Sequence, residues 1–336
     1  MKRNSKFLII FRKTVMRVYV TRVIPKGGLE TLQNKGIEVD VNTKEGLLSK
    51  EELIGELSKK PYDAIISLLT DTIDADVMNA TPRLKIIANY AIGFNNIDSV
   101  EAGKRGIAVT NVGKISAEPV AEFTISLMLA LSHRIVEADN FVRAGKFRGW
   151  EPELLIGSNI HGKTLGILGA GNISQRVAVH AKKGFGMDVI YYDVIRNETF
   201  EKEVGVTFFS DADDVISRAD FLSIHVPLLE STKHFIHKER LSKMKPSAFL
   251  INTSRGAVVD EVALVEALKN NIIRGAALDV FEYEPVLSAG LLNLPNVLLT
   301  PHIASSERDA RNDMSRIVAE NIIALFEGKI PPNKVN

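Results

Sequence analysis

The sequence predicts an α/β chain with two parallel-sheet units. Short runs rich in β-branched residues alternate with amphipathic stretches, the pattern of a parallel sheet covered by helices on both faces. The alternation occurs twice, over 16–110 and again over 163–299, on either side of a long apolar-periodic stretch and a segment broken by glycine and proline. The 336 residues are enough for about two domains.

In the first unit the strands are expected at 16–21, 37–41, 63–69, 84–89 and 107–110, with helices between them, for example at 49–58 and 74–80. Val120, Phe123, Thr124, Leu127, Met128 and Leu131 then recur at helical spacing, and Ile135, Ala138 and Phe141 continue the period. This reads as one helix of about 25 residues, long enough for a strut between domains or a reach toward a partner subunit, and equally compatible by its pattern with a plain core helix. Gly145, Gly149, Pro152, Gly157 and Asn159 break any period, so 142–161 reads as a wrapping loop, and it carries the single tryptophan, Trp150. The second unit is expected to place strands at 163–168, 187–192, 220–225, 248–252, 273–278 and 297–299. Its helices are expected at 172–184, 211–218, 238–244 and 260–270, with a last helix at 306–327.

Composition narrows the function. With 45% apolar and 25% charged residues the chain has the balance of an ordinary soluble globular protein. The absence of cysteine excludes a disulfide framework, a thiolate metal site and a cysteine nucleophile. A net charge of +1 gives no case for nucleic acid, and no apolar run reaches the length of a membrane span. Lys2, Arg3, Lys6, Arg12 and Lys13 surround an apolar run, Phe7 to Phe11, that is too short for a signal-peptide core. Residues 1–15 are therefore expected to form a disordered N-terminal extension of a cytoplasmic protein.

Gly169-Ala-Gly171-Asn172-Ile173-Ser174 follows a strand and opens a helix, the setting of a dinucleotide fingerprint. Gly169 would make the tight turn and Gly171 would let a pyrophosphate approach the backbone. The helix N-terminus would offer N–H groups and positive potential to the anion. Ser174 replaces the usual third glycine or alanine. Asp193 ends the next strand at the spacing expected of an acid that binds the adenosine ribose hydroxyls. A carboxylate there repels a 2′-phosphate, so NAD(H) is favoured over NADP(H), and Arg196 nearby is the residue able to blunt that preference.

Three strand ends of the second unit carry reactive polar residues: Asn252 to Gly256, Asp279 to Pro285 and Thr300 to Ser305. In open α/β sheets ligands lie beyond the carboxyl ends of the strands. Hydride transfer to a 2-keto acid needs a cation for the carboxylate, a proton donor for the carbonyl oxygen and a carboxylate to orient that donor. Arg255, His302 and Glu284 suit these roles by chemistry. His225 at a strand end is a residue able to line a cofactor cleft. His133, His161, His180, His234 and His237 read as surface or structural, and no metal-ligand spacing occurs.

The chain resembles the D-isomer-specific 2-hydroxyacid dehydrogenases, in the glyoxylate/hydroxypyruvate reductase branch, from Met16 to Asn336. The resemblance rests on Asn89–Asp98, the fingerprint at 169–174, His225-Val-Pro227, Ile251–Asp260, Leu278–Pro285 and Pro301–Ser305. It implies two Rossmann-like or flavodoxin-like domains with the active site in the cleft between them. The substrate (catalytic) domain would be discontinuous, 16–115 with 302–336, and 116–301 would be the inserted NAD-binding domain. The resemblance implies catalytic Arg255, Glu284 and His302, and a substrate carboxylate held by the N–H groups of Ile92 and Gly93. Cofactor contacts are implied at Gly171, Asn172, Ile173, Ser174, Asp193, Val226, Pro227, Thr253, Ser254, Arg255, Asp279, His302, Ala304 and Ser305. It also implies a homodimer in which Trp150 reaches the partner subunit's active site. Departures from the family pattern are Ser174 and Asn95; Glu284 in place of glutamine argues against a formate dehydrogenase. The expected activity is NAD(H)-dependent reduction of a small 2-keto acid such as glyoxylate or hydroxypyruvate. The alternatives are a D-lactate or D-3-phosphoglycerate dehydrogenase, or an NAD(H)-sensing binding protein resembling a corepressor.

Overall fold

Neighbouring parallel strands each need a crossover between them, and the chain supplies one at every step. The computed structural model describes residues 15–115 and 117–336. Residues 1–14, which hold nearly all of the expected N-terminal extension, lie outside that description. Contacts divide the chain into two compact units: the chain up to Gly113 together with Arg311–Asn336, and Lys114–Ala310. His302 to Ala310 thus group with the second unit.

The first unit runs β1 (Arg17–Val20), α1 (Lys26–Asn34), β2 (Glu38–Val41), α2 (Lys50–Leu57), β3 (Ala64–Ser67), α3 (Ala75–Asn79), β4 (Ile86–Asn89), α4 (Ser99–Lys104) and β5 (Ala108–Thr110). Its five strands are parallel in the order β2-β1-β3-β4-β5. Successive strand residues point to opposite faces. Val18, Val20, Ile66 and Ile86 therefore enter one core layer and Tyr19, Ile65, Ile87 and Val109 the other. Both faces are covered, so the central strands read as unbroken apolar runs. The first layer is completed from the far end of the sequence, where Met314, Val318, Ala319 and Ile322 of the C-terminal helix pack with Leu29 and Leu32 of α1. Gly28 makes that approach feasible, because a Cβ there would stand 1.9 Å from the Ser315 carbonyl oxygen.

The second unit begins with α5 (Ala117–Ser132) and α6 (Ile135–Arg143). It continues β6 (Thr164–Leu168), α7 (Asn172–Val179), β7 (Asp188–Tyr192), α8 (Glu198–Val204), β8 (Thr207–Phe208), α9 (Ala212–Arg218) and β9 (Phe221–Ile224). It ends α10 (Lys238–Lys243), β10 (Phe249–Asn252), α11 (Glu261–Lys269), β11 (Gly275–Leu278) and β12 (Val297–Leu299), before α12 (Arg308–Phe326) returns to the first unit at Arg311. The seven strands are parallel in the order β12-β11-β10-β9-β6-β7-β8. Leu168, Ile224, Leu250 and Leu278 face α9, α10 and α11, and Ile167, Phe221, Ile251 and Ala277 face α5 and α7. Each fully buried aliphatic side chain contributes roughly 1.5–3 kcal/mol of transfer free energy.

The expected 25-residue helix is two helices bent by 59°. Neither glycine nor proline causes the bend. Ser158 N–H donates to the Ser132 carbonyl at 2.8 Å, which takes the acceptor a continuing helix would give to Val136. Gly157 lets that loop lie against the helix end, and Arg134 turns left-handed at φ 56. No single helix is long and apolar enough to cross a membrane among the described residues, and α5 is buried on the core side. The helix expected over 172–184 is α-helical only to Val179, after which His180–Gly184 form a wider turn of the π type. Helix α8 and the two-residue β8, for which no expectation was drawn, extend the edge of the sheet.

Candidate active site

Strand order reverses between β6 and β9, and the glycine loop leaves β6 at that point. Crevices of this kind accept ligands in open α/β sheets. Gly169 has φ +96, and a Cβ there would come within 2.9 Å of the His225 carbonyl carbon and the Val226 nitrogen. Only glycine satisfies both demands. Gly171 is the N-cap of α7, has no side chain to cap the helix and faces open space. The first N–H groups of α7 are thus left for an anion, and the donor set fits a dinucleotide pyrophosphate. Ser174 is buried and its hydroxyl donates to the Gly171 carbonyl at 2.9 Å, which accounts for serine at the third fingerprint position.

Asp193, at the end of β7, accepts the Ala170 N–H at 2.6 Å and the Ile195 N–H at 3.3 Å. Its carboxylate therefore stands beside the glycine loop. Val194 and Ile195 next to it are exposed apolar residues. Arg196 closes a two-pronged pair on Glu201, with both contacts at 2.8 Å. Its charge is already engaged within the unit.

Arg255 follows β10 in extended backbone. Asn252, the last residue of that strand, brackets it: its Oδ1 accepts from Ser254 N–H and Oγ, and its Nδ2 donates to the Arg255 carbonyl at 3.0 Å. Gly256 packs on the loop after β11, where a Cβ would stand 1.8 Å from the Phe281 carbonyl carbon. That loop carries Glu284, whose Oε1 accepts the Phe281 N–H at 2.9 Å and whose Oε2 lies 2.8 Å from Nδ1 of His302. With Nδ1 taken, Nε2 is the ring nitrogen left for proton transfer. The loop's ends are pinned by buried Glu261, which accepts N–H groups of Glu282 at 2.5 Å and Ser288 at 3.2 Å.

His302 adopts φ 54, an unusual conformation for a residue with a side chain. Buried Asp279 holds it there: its carboxylate accepts N–H groups of Ile303 and Ala304 at 2.9 and 2.8 Å and the Thr300 hydroxyl at 2.6 Å, while its carbonyl accepts the His302 N–H at 2.8 Å.

Burial alone would push Glu284 up. The hydrogen bond and charge of His302, the Phe281 N–H and the charge of Arg255 outweigh it and hold the carboxyl below its ordinary value. Burial pulls Arg255 down and Glu284 opposes the shift; a guanidinium stays charged throughout. Desolvation pushes His225 down to about 4, so this ring is neutral; its Nε2 lies 2.8 Å from Ser223 Oγ.

Val226, Pro227, Thr253, Ser254 and Ser305 follow the ends of β9, β10 and β12, with Thr253 and Ala304 buried. Ile92 and Gly93 belong to the first unit, in the loop after β4. Trp150 is 85% exposed, beyond α6, a helix with no buried residue. His180 pairs with Glu118, His234 with Glu282 and His237 with Glu239, and His161 faces the Phe185 carbonyl. Among the described residues no three histidines or acids are placed to hold a metal. The sequence marks Asn252 and Gly256 only as the bounds of a polar strand end, and it does not single out Glu261. The glycine directly after Arg255 was the one available signal; the buried acid carried none.

A family model described as the D-isomer specific 2-hydroxyacid dehydrogenase, NAD binding domain, matches residues 125–304. Glyoxylate reductase from Korarchaeum cryptofilum is 49% identical over 322 residues, covering 95% of this chain and 96% of that protein. The enzyme of the same name from Thermococcus litoralis is 44% identical over 324 residues, with coverage of 95% and 96%. Among solved structures, a Thermus thermophilus protein superposes with TM-score 0.89 at 39% identity, covering 96% of this chain and 100% of that one. An NADPH-dependent glyoxylate/hydroxypyruvate reductase from Sinorhizobium meliloti, in complex with NADP and malonate, gives TM-score 0.83 at 31% identity, with 95% and 96% covered.

Proposed function

The chain belongs to the D-isomer-specific 2-hydroxyacid dehydrogenase family, and from that premise we propose that it reduces a small 2-keto acid, glyoxylate or hydroxypyruvate, to the corresponding 2-hydroxy acid. The observation that carries this reading is the His302–Glu284 pair at 2.8 Å in the same unit as the glycine loop. Glyoxylate is the favoured substrate because the curated relatives at 49% and 44% identity bear that name.

NADH, when bound, would supply the hydride for the carbonyl carbon. His302, protonated, gives its Nε2 proton to the carbonyl oxygen as negative charge develops there, and is left neutral. Glu284 fixes the ring through Nδ1 and stabilises the imidazolium before transfer. Arg255 is the second unit's carboxylate-binding cation, and the N–H groups of Ile92 and Gly93 are the first unit's carboxylate donors. Gly171, Asn172 and Ile173 would hold the pyrophosphate, and Asp193 would take the ribose hydroxyls. Val194 and Ile195 offer apolar surface to the base. NAD(H) is preferred over NADP(H), since Asp193 repels a 2′-phosphate and Arg196 is held by Glu201. This reading includes a cytoplasmic location.

The test follows consumption of NADH, then NADPH, against glyoxylate, hydroxypyruvate, pyruvate and 3-phosphohydroxypyruvate. Fastest turnover of glyoxylate or hydroxypyruvate with NADH is expected. A preference for a bulkier acid refutes the substrate assignment, and NADH binding without turnover of any acid refutes the enzyme.

The working form is a homodimer. Ile135, Val136 and Val142 of α6, with Phe147, Trp150 and Ile156 beyond it, are all exposed. An apolar surface of this extent is suited to burial against a second copy, to whose site Trp150 would be delivered. A monomer mass by light scattering at micromolar protein would contradict it.

A further inference from the structure

A carboxylate subsite made of backbone N–H groups depends on whatever fixes those peptides. In a trans peptide the N–H of one residue points opposite to the carbonyl of the residue before it. Holding the carbonyl therefore aims the N–H. In the loop after β4 three consecutive carbonyls are held. The Ala91 carbonyl accepts Val112 N–H at 3.1 Å, the Ile92 carbonyl accepts Asn111 Nδ2 at 2.8 Å, and the Gly93 carbonyl accepts Asn89 Nδ2 at 2.8 Å. The N–H groups of Ile92, Gly93 and Phe94 are turned the other way, and none has an acceptor among the described residues. Successive N–H groups on one side of the chain form an anion-binding concavity.

The two asparagines come from matched places. Ala88 of β4 pairs with Thr110 of β5, so Asn89 and Asn111 leave adjacent strands at the same level. Each is itself fixed. Ser67 Oγ donates to Asn89 Oδ1 at 3.0 Å, and Asn111 Oδ1 accepts the Gly113 N–H at 3.0 Å. Asn89 is fully buried and also donates to Asn96 at 3.2 Å, while Asn96 Nδ2 reaches the Leu68 and Asp71 carbonyls.

We propose that Asn111 and Asn89 are the positioning residues of the carboxylate subsite, Asn111 aiming the Gly93 N–H and Asn89 the Phe94 N–H. This rests on the reading of Ile92 and Gly93 as carboxylate ligands, and adds the side chains that give that backbone its direction. Asn111 is the residue to change, since it is only half-buried. Asn111→Ala deletes the donor. Asn111→Asp keeps the shape and the acceptor for Gly113 while removing the donor.

The experiment measures oxamate binding to the NADH-loaded enzyme, and steady-state reduction of glyoxylate and of glycolaldehyde, an aldehyde without a carboxylate. In both variants the oxamate Kd and the glyoxylate KM are expected to rise about tenfold, the loss of one hydrogen bond to an anion. The kcat for glyoxylate, the NADH Kd and kcat/KM for glycolaldehyde stay within about threefold, so selectivity for the carboxylate substrate collapses. Equal losses on glyoxylate and glycolaldehyde, or unchanged oxamate binding, overturn the proposal while leaving the site intact. A wild-type enzyme that binds no oxamate and reduces no 2-keto acid overturns the reading beneath it, and the proposal with it.

Discussion

At His302 a side chain sits where the backbone favours glycine; the hydrogen bonds that Asp279 accepts from Thr300, His302, Ile303 and Ala304, and the one between the ring and Glu284, keep it there. A conformation of this kind costs about 1–3 kcal/mol and persists only when its surroundings over-determine it. Removing the imidazole leaves the Asp279 contacts in place. His302→Ala is therefore expected to lower kcat by ~10²–10⁴ with the NADH Kd unchanged; near-normal turnover would take His302 out of the mechanism. His225 makes a second, separate prediction. Its folded pKa of about 4 lies below the ordinary value of 6.5, so between these values the unfolded chain binds the extra proton. Its contribution to stability is complete above about pH 6.5 and falls as pH drops toward about 4, by up to about 3 kcal/mol. Depressed Glu284 acts in a lower window: its share is present above the ordinary carboxyl range and is lost as pH falls through its folded value. Urea unfolding at pH 7 and pH 4.5 checks the histidine. The decline should be smaller in His225→Gln, and an equal decline in both proteins would contradict the assignment.

Between elements, the loops after β10 and β11 meet backbone to backbone at Gly256. In Gly256→Ala the new methyl would lie 1.8 Å from the Phe281 carbonyl carbon, so the loops must part. Overpacking of this kind costs roughly 1–3 kcal/mol. Moving Arg255 by about 1 Å costs on the order of 10²-fold in kcat/KM. A variant that melts and turns over like the wild type would show that the contact is not needed. This closeness was only half legible in the sequence. The strand-loop-helix setting of Gly169 and the polar ends of β10, β11 and β12 were readable, because local spacing encodes them. The grip of Glu261 on the 282–288 segment was not, because it joins residues 21 and 27 positions apart through hydrogen bonds that leave no periodic trace. The bend at Arg134 was hidden for a like reason: the apolar period runs unbroken across it, and its cause lies in Ser158.

At the scale of the molecule, two successive alternations of strand and helix announced two sheets, and their strand positions were readable to within a few residues. Short β8 was not, since two residues carry no alternation. Residues 172–184 showed why a period alone cannot tell an α turn from a wider one. The return of the C-terminal helix to the first sheet came from family resemblance; its apolar stripe matches any amphipathic helix. Yet Val318, Ala319 and Ile322 are fully buried there, and Gly28 exists to let Ser315 approach. During translation the ribosome finishes every strand of the second unit before it delivers this last helix. The amino-terminal sheet, though synthesised first, must wait with part of one apolar face uncovered beside α1 until that helix is made, so the later-made unit is the first able to complete its fold.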